Sequence, residues 1–361
     1  MKFTEEVRPW ARDPFKKREV QNVEKKIPVI IDCDTGVDDA GALMMACASD
    51  RLDILAVTTV SGNVGLEHTH PNTLRVLKLF GREDIPVAKG ADRPLVRPPF
   101  RASLVHGFDG IQGYRFPEGP SGGEVSLPAA AFLAKVLEEQ KEPVTVVALG
   151  PMTNIAILLL SRPDLKEKIR RIVFMGVSYQ DGNPSPLGTF NIIVDPEAFR
   201  ICLESGVDFY ACPLDTLRSA VVTREQAEQI RGMKSQAADF IYRTEFAPRT
   251  LSDQDLARIN ASGNEEAASR EDLDRFNETD RFALLDQGTM AFVIAPELFT
   301  WKKYYCRVEC QGSFMNGFTY VDKRNYYRKT EEEKNLWFVE TVSTEGFAQL
   351  YLNLLERYED R

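Results

Sequence analysis

Four carboxylates crowd one short stretch, Asp32-Cys33-Asp34-Thr35-Gly36-Val37-Asp38-Asp39. The residues before it, Ile27 to Ile31, are apolar and β-branched and read as a buried strand; the small residues Ala40 to Ala48 after it read as a helix. The acids therefore lie beyond the carboxyl end of a strand, where open parallel sheets bind ligands. Helix capping accounts for Asp38 or Asp39, which gain from the helix dipole, and leaves the other two unexplained. Two carboxylates about 5 Å apart at an effective dielectric of about 20 repel by about 3 kcal/mol, so the cluster calls for a cation or shared protons. A donor set of carboxylate oxygens, with no His in the stretch, favours calcium or magnesium over zinc. A cation held by Asp34 and Asp39 would acidify a water, and an adjacent carboxylate could take its proton at neutral pH.

The elements that must position these groups alternate regularly. Strand-like runs at Leu52–Thr59, Ile85–Ala88, Val144–Ala148, Arg171–Met175 and Val207–Ala211 are separated by helical spacing at Leu66–Phe80, Pro128–Glu139 and Ile155–Leu160. Pro196 suits the first turn of a further helix. This order predicts βαβ units: an α/β fold with an open, mostly parallel, Rossmann-like sheet covered by helices on both faces. The Gly-, Pro- and Arg-rich stretch 90–123 is too long for a casual connection and points to a functional loop. Residues 223–281 are charged and helical without a strand-like run, a helical insertion near the mouth of the site, with 253–278 its most solvated part. Strands near Tyr304–Cys310, Gly317–Val321 and Trp337–Val342 are expected to form a small antiparallel C-terminal extension, closed by a helix over Gly346–Leu355. Residues 1–26 read as a charged N-terminal extension, and 27–361 as a single domain.

Charge and composition narrow the function classes. With 361 residues and a formal charge of −9, the chain has room for a large core and little attraction for a nucleic-acid backbone or an anionic membrane. No secretory signal or bilayer-length apolar run is expected, and the six cysteines, without a Cys-x-x-Cys pair, read as reduced core residues of a cytoplasmic protein. Walker-type and Gly-x-Gly-x-x-Gly signatures are missing, which argues against nucleoside triphosphates and dinucleotides.

The Asp-x-Asp-x-Gly-x-Asp-Asp signature after an N-terminal strand resembles the calcium-dependent, inosine-uridine preferring nucleoside hydrolases, with similarity from about Val29 to Leu355. The resemblance implies hydrolysis of the N-glycosidic bond of a ribonucleoside or related N-riboside through an oxocarbenium-like state, and a homodimer or homotetramer. It makes Asp34 both a Ca²⁺ ligand and the general base, Asp39 a bidentate ligand, Asp38 a ribose contact and Asp32 a support behind them. The backbone carbonyl of Leu149 and the carboxylate of Asp286 complete the metal's protein ligands. Asp286 precedes a helix and could equally cap it, but two apolar residues before it, Leu284 and Leu285, point to a buried approach. The same matching places Asn63, Asn183 and Asn191 on the ribose, where neutral amides offer donors and acceptors to hydroxyls without adding charge. His106 matches a histidine near ribose and base; His68 and His70 read as surface or capping residues.

Two positions depart from the family pattern. Thr189 stands where base-nonspecific members carry a glutamate on the 5′ side of the ribose. Leu285 replaces a histidine that assists the departing base, and a leucine cannot donate a proton. These changes keep a second reading open, a ribose- or nucleoside-binding homologue with weak turnover. A third, a haloacid-dehalogenase-like phosphatase, also begins with Asp-x-Asp after a strand but expects Thr or Val where Gly36 stands.

Overall fold

The computed structural model describes residues 25–120, 122–262, 269–312, 314–324, 326 and 329–359. Nearly all of the 1–26 extension lies outside them. The first described strand lies in the interior of the sheet. Strand β1 (Ile27–Cys33) is flanked on one side by β2 (Leu52–Thr59), β3 (Val87–Lys89) and β4 (Glu124–Val125). On the other side lie β5 (Val144–Ala148), β6 (Ile169–Met175) and β7 (Phe209–Cys212), and all of these pairings are parallel. Strand order therefore reverses between β1 and β5, a crevice at their carboxyl ends that this sheet class uses for ligands.

Burial explains why β1 is central. Val29, Ile30 and Ile31 are fully buried, with Val29 and Ile31 packing into one apolar layer and Ile30 into the opposite one. Side chains that alternate between two covered faces suit an interior parallel strand and no edge strand. The helix Val37–Ala48 packs beside β1, and its small residues let it sit close to the helix Leu285–Ile294.

After β8 (Val221–Thr223), the insertion runs through the helices Arg224–Gly232 and Gln236–Ile241, a π-helical turn at Tyr242–Phe246, and the helices Asp253–Ser262 and Arg270–Glu278. It ends at β9 (Arg281–Ala283), which pairs antiparallel with β8 and so ties the base of the insertion shut. Its outer helices rest on the long loop: Leu256, Ile259 and Leu273 cluster with Leu104 and Phe108. The long loop and the insertion thus form one wall.

Three features differ from the sequence expectation. The C-terminal strands β10 (Phe299–Val308), β11 (Thr319–Asp322) and β12 (Leu336–Val342) include two antiparallel pairings, but β12 runs parallel to β7 and extends the main sheet. Strand β4 is only two residues long and half-exposed, too short for any periodic signal. His70 is no surface residue: it is buried inside the helix Leu66–Leu79, its Nδ1 3.1 Å from Thr59 Oγ1 and its Nε2 3.2 Å from Glu124 Oε1. All six cysteines are described and none forms a disulfide. Among the described residues, no helix is long and apolar enough to cross a membrane.

Candidate active site

The turn that leaves β1 delivers its four acids to different surroundings. Asp32 is still on the strand; its Oδ1 accepts from Thr58 Oγ1 (2.5 Å) and Asn154 Nδ2 (2.7 Å), while Oδ2 is buried without a partner. Burial outweighs those hydrogen bonds and pushes its carboxyl up to about 7. Asn154 also donates to Thr59 O and accepts from Ala91 N–H, so one amide fixes β1, β2 and the start of the long loop.

Asp34 is fully buried at the crevice. Its Oδ2 accepts the Asn63 N–H at 2.7 Å, and its Oδ1 has no partner. Two glycines make room for it: a Cβ on Gly62 would lie 2.0 Å from Oδ2 and one on Gly150 2.4 Å from Oδ1. Gly150 is the second residue beyond the carboxyl end of β5, so both sides of the topological switch close on this carboxylate. Gly150→Ala forces its methyl onto the buried Asp34 side chain, from Oδ1 back to a Cβ only 3.1 Å away. It is expected to cost about 1–3 kcal/mol of stability, measured by urea unfolding, and an unchanged midpoint would contradict this packing.

Asp39 sits in the first turn of the helix and does serve it as a cap, accepting Gly36 N–H at 2.9 Å. It also accepts Asp34 N–H (3.1 Å) and Asn63 Nδ2 (3.0 Å). Burial and then the charge of Asp38 nonetheless push it to about 7. Capping is thus part of the answer for one acid. Asp286, on the helix Leu285–Ile294, does not cap its helix through its side chain; Leu284 is the N-cap residue. Its carboxylate is buried, and burial together with the charges of Asp38, Asp39 and Asp34 holds its protonation far above the carboxylate range. The same two causes, burial first and Asp39 next, raise Asp34.

Carboxylate oxygens of Asp38, Asp39 and Asp286 all lie within 4.8 Å of one another. Such convergence of buried or half-buried acids, with the orphaned Oδ1 of Asp34 beside them, fits a hard divalent cation better than a set of mutually repelling charges. This grouping differs from the ligand set expected from sequence: it includes Asp38, there assigned to the ribose, and leaves Asp34 outside the tight triplet. Leu149 brings its carbonyl to the same crevice, where Asn191 Nδ2 donates to it at 2.5 Å.

Above the acids opens a cavity of about 360 Å³, lined by Asp38, Asn63, His106, Leu149, Asn183, Asn191 and Asp286 among others. His106 Nδ1 accepts the Val37 N–H at 3.2 Å, which leaves Nε2 as the proton-bearing nitrogen. Burial lowers its imidazole to about 4, so the 3.6 Å approach to Asp38 Oδ1 is not an ion pair at neutral pH. Asn183 spends its Oδ1 on the Phe190 N–H and keeps its amide nitrogen for the cavity. Thr189 is placed otherwise. It is buried, its hydroxyl accepts Val177 N–H at 3.3 Å, and it does not belong to the cavity lining.

Leu285 lines this cavity and also a second one of about 280 Å³ against the insertion. The second cavity brings in residues that sequence reasoning passed over, Glu245 and Arg249. Glu245 accepts from Gln287 Nε2 (2.9 Å) and Tyr351 Oη (3.0 Å), and burial raises its carboxyl well above the ordinary value. The only sequence signal for either was an unplaced charge inside an otherwise solvated helical stretch.

Comparison with known proteins agrees with the geometry. The family model for inosine-uridine preferring nucleoside hydrolases matches residues 29–349. The pyrimidine-specific ribonucleoside hydrolase RihA of Shigella boydii serotype 4 (strain Sb227) is 37% identical over 333 residues, covering 92% of this chain and 99% of its own; RihA of Escherichia coli O1:K1 / APEC matches to the same extent. Among solved structures, an inosine-guanosine nucleoside hydrolase superposes with a TM-score of 0.77 at 26% identity, over 91% of this chain and 98% of its own. The plant nucleoside hydrolase PpNRh1 gives 0.75 at 27% identity, over 91% and 99%. A four-acid turn at the switch point, a cavity rich in amides above it, and relatives matched along nearly their whole length lead to one assignment: the chain belongs to the inosine-uridine preferring nucleoside hydrolase family.

Proposed function

We propose that this enzyme hydrolyses the N-glycosidic bond of a ribonucleoside, a pyrimidine nucleoside first among them, with calcium held by its carboxylate cluster. The observation that carries the proposal is the convergence of Asp38, Asp39 and Asp286, with the unpartnered Oδ1 of Asp34 near them, at a cavity edged by Asn63, Asn183 and Asn191. The pyrimidine preference rests on the printed specificity of the RihA relatives.

Asp34, Asp39, Asp286 and the Leu149 carbonyl would hold Ca²⁺, with Asp38 close enough to share it. The ion supplies a lowered pKa for an attacking water and offsets the charge of the acids around it. Asp34 takes the proton of that water, its unpartnered Oδ1 being the free acceptor. Asp38, Asn63, Asn183 and Asn191 bind ribose hydroxyls, and the neutral His106 can donate from Nε2 to sugar or base. Thr189 supports the sugar pocket through the backbone it holds. The carboxylates stabilise the positive charge that develops at C1′. We further propose a cytoplasmic enzyme that assembles as a homodimer or homotetramer, built as one domain over 27–361 with the insertion as part of its wall.

The test is release of reducing sugar from uridine, cytidine, inosine and adenosine with calcium present. Ribose should appear, fastest from the pyrimidines. Calorimetric binding of nucleoside without any product would instead support the binding-only reading, and phosphate release from a phosphomonoester with magnesium would support the phosphatase.

A further inference from the structure

The second cavity bears on the step for which Leu285 is chemically mute. Its walls are largely apolar and aromatic, with Phe276, Phe282, Val105 and Leu285 among them, and it shares Asp38, Val105 and Leu285 with the first cavity. A sugar seated over the acids therefore has a largely apolar slot within reach past Leu285. Two guanidinium groups border it, the exposed Arg281 and the more enclosed Arg249. The guanidinium of Arg249 lies flat on Phe276, its carbon 3.5 Å from the ring centroid. Its Nε is buried with no hydrogen-bond partner, and among the described residues the group forms no ion pair. Asp38 and Glu245 are the acids whose charges reach it. The main chain is anchored on both sides, Arg249 N–H to Asn277 Oδ1 (2.7 Å) and Asn277 Nδ2 to Arg249 O (3.0 Å), so the side chain is held in place by more than its stacking.

A buried donor without a partner is costly unless a ligand completes it. Resting on the hydrolase reading above, we propose that Arg249 recognises a ring carbonyl of the leaving base and stabilises the negative charge that carbonyl takes up as the glycosidic bond breaks. The C1′–N bond breaks with its electron pair staying on the ring nitrogen and spreading to the carbonyl oxygen. C1′ bonds to the water oxygen, the water's proton goes to Asp34, and the released base anion takes a proton from solvent. No acid is then required at position 285. A base with a carbonyl next to the glycosidic nitrogen, as in pyrimidine nucleosides, suits the fork of donors on a guanidinium.

The experiment compares two leaving groups in the full-length enzyme with calcium: uridine, whose base leaves poorly, and 4-nitrophenyl riboside, whose phenolate is stable in water. Arg249→Met is expected to lower kcat/KM about 100-fold for uridine and less than about tenfold for the aryl riboside, as removal of one charge-stabilising donor does. Arg249→Lys, which keeps charge without the fork, should fall between, and inhibition by uracil should weaken in the Met variant. Equal losses on both substrates, or no loss on uridine, overturn the role of Arg249. Failure of the unmodified enzyme to cleave either substrate would instead overturn the hydrolase reading itself.

Discussion

Asp34→Asn will lower kcat for ribose release about a thousandfold, the range expected when a positioned general base is removed, while leaving the fold at least as stable. The substitution keeps the shape of the side chain. Its carbonyl oxygen can occupy the place of Oδ2 and go on accepting the Asn63 N–H, so the amide nitrogen falls where Oδ1 is now without a partner. What disappears is a proton acceptor and a buried negative charge whose ionisation both burial and Asp39 oppose. Without calcium, burial and Asp39 favour the protonated carboxyl, which the neutral amide replaces, so the melting temperature without calcium should hold even as turnover collapses. Sugar release would be followed by a reducing-sugar assay over a range of uridine concentrations. A kcat within tenfold of the parent would take the general-base role away from Asp34.

The same residue shows how far sequence alone could go. Asp32, Asp34, Asp38 and Asp39 were legible because they are contiguous, follow a strand and exceed what one helix cap can use. Asp286 entered through the family resemblance, with its apolar approach weighing against a cap, and its helix starts at Leu285 with Leu284 as an N-cap that makes no side-chain bond. Asn183, Asn191 and Leu149 were singled out by the family resemblance, and alternation added only the expectation that they lie on loops and strand ends of the sheet. Other features left no trace in local patterns. The parallel pairing of β12 with β7 depends on a chain return of more than a hundred residues, and Thr189 differs from its neighbours only in where its hydroxyl finds a backbone N–H. Arg249 and Glu245 sit among many charges of the insertion, and burial alone distinguishes them. Which charged residue of a helical insertion turns inward is a tertiary outcome: Glu245 is held by Gln287 and Tyr351, and Arg249 by Phe276 and Asn277, all distant in sequence.

Calcium should stabilise the protein more at pH 8 than at pH 5, and the calcium-free protein should lose stability across that interval. The sign follows from proton binding. Asp39 titrates at about 7 in the fold against an ordinary 3.8, so between these values the native state holds a proton that the unfolded chain has released. Stability is then present at low pH and is lost as pH rises through the native value, where keeping Asp39 ionised costs on the order of 4 kcal/mol. The part of that fall lying above pH 5 is about 3 kcal/mol; with an unfolding entropy of about 2.1 cal/mol/K per residue over 361 residues, it lowers the melting temperature by about 4 °C. Asp34 and Asp286, raised in the same direction, add to the fall. A cation among these oxygens reverses the preference, since it binds the ionised acids and competes with their protons; at a hundredfold excess over Kd it restores about 2.7 kcal/mol. Asp32 provides the internal contrast. It is also raised to about 7, but its bonded oxygen is fixed by Thr58 and Asn154 and it stands outside the metal triplet, so its share of the pH dependence should survive saturation with calcium. Thermal melts at pH 5, 6.5 and 8, each with chelator and with calcium, separate the two contributions. A calcium-induced shift that is the same at every pH would mean that the ion binds somewhere other than this cluster.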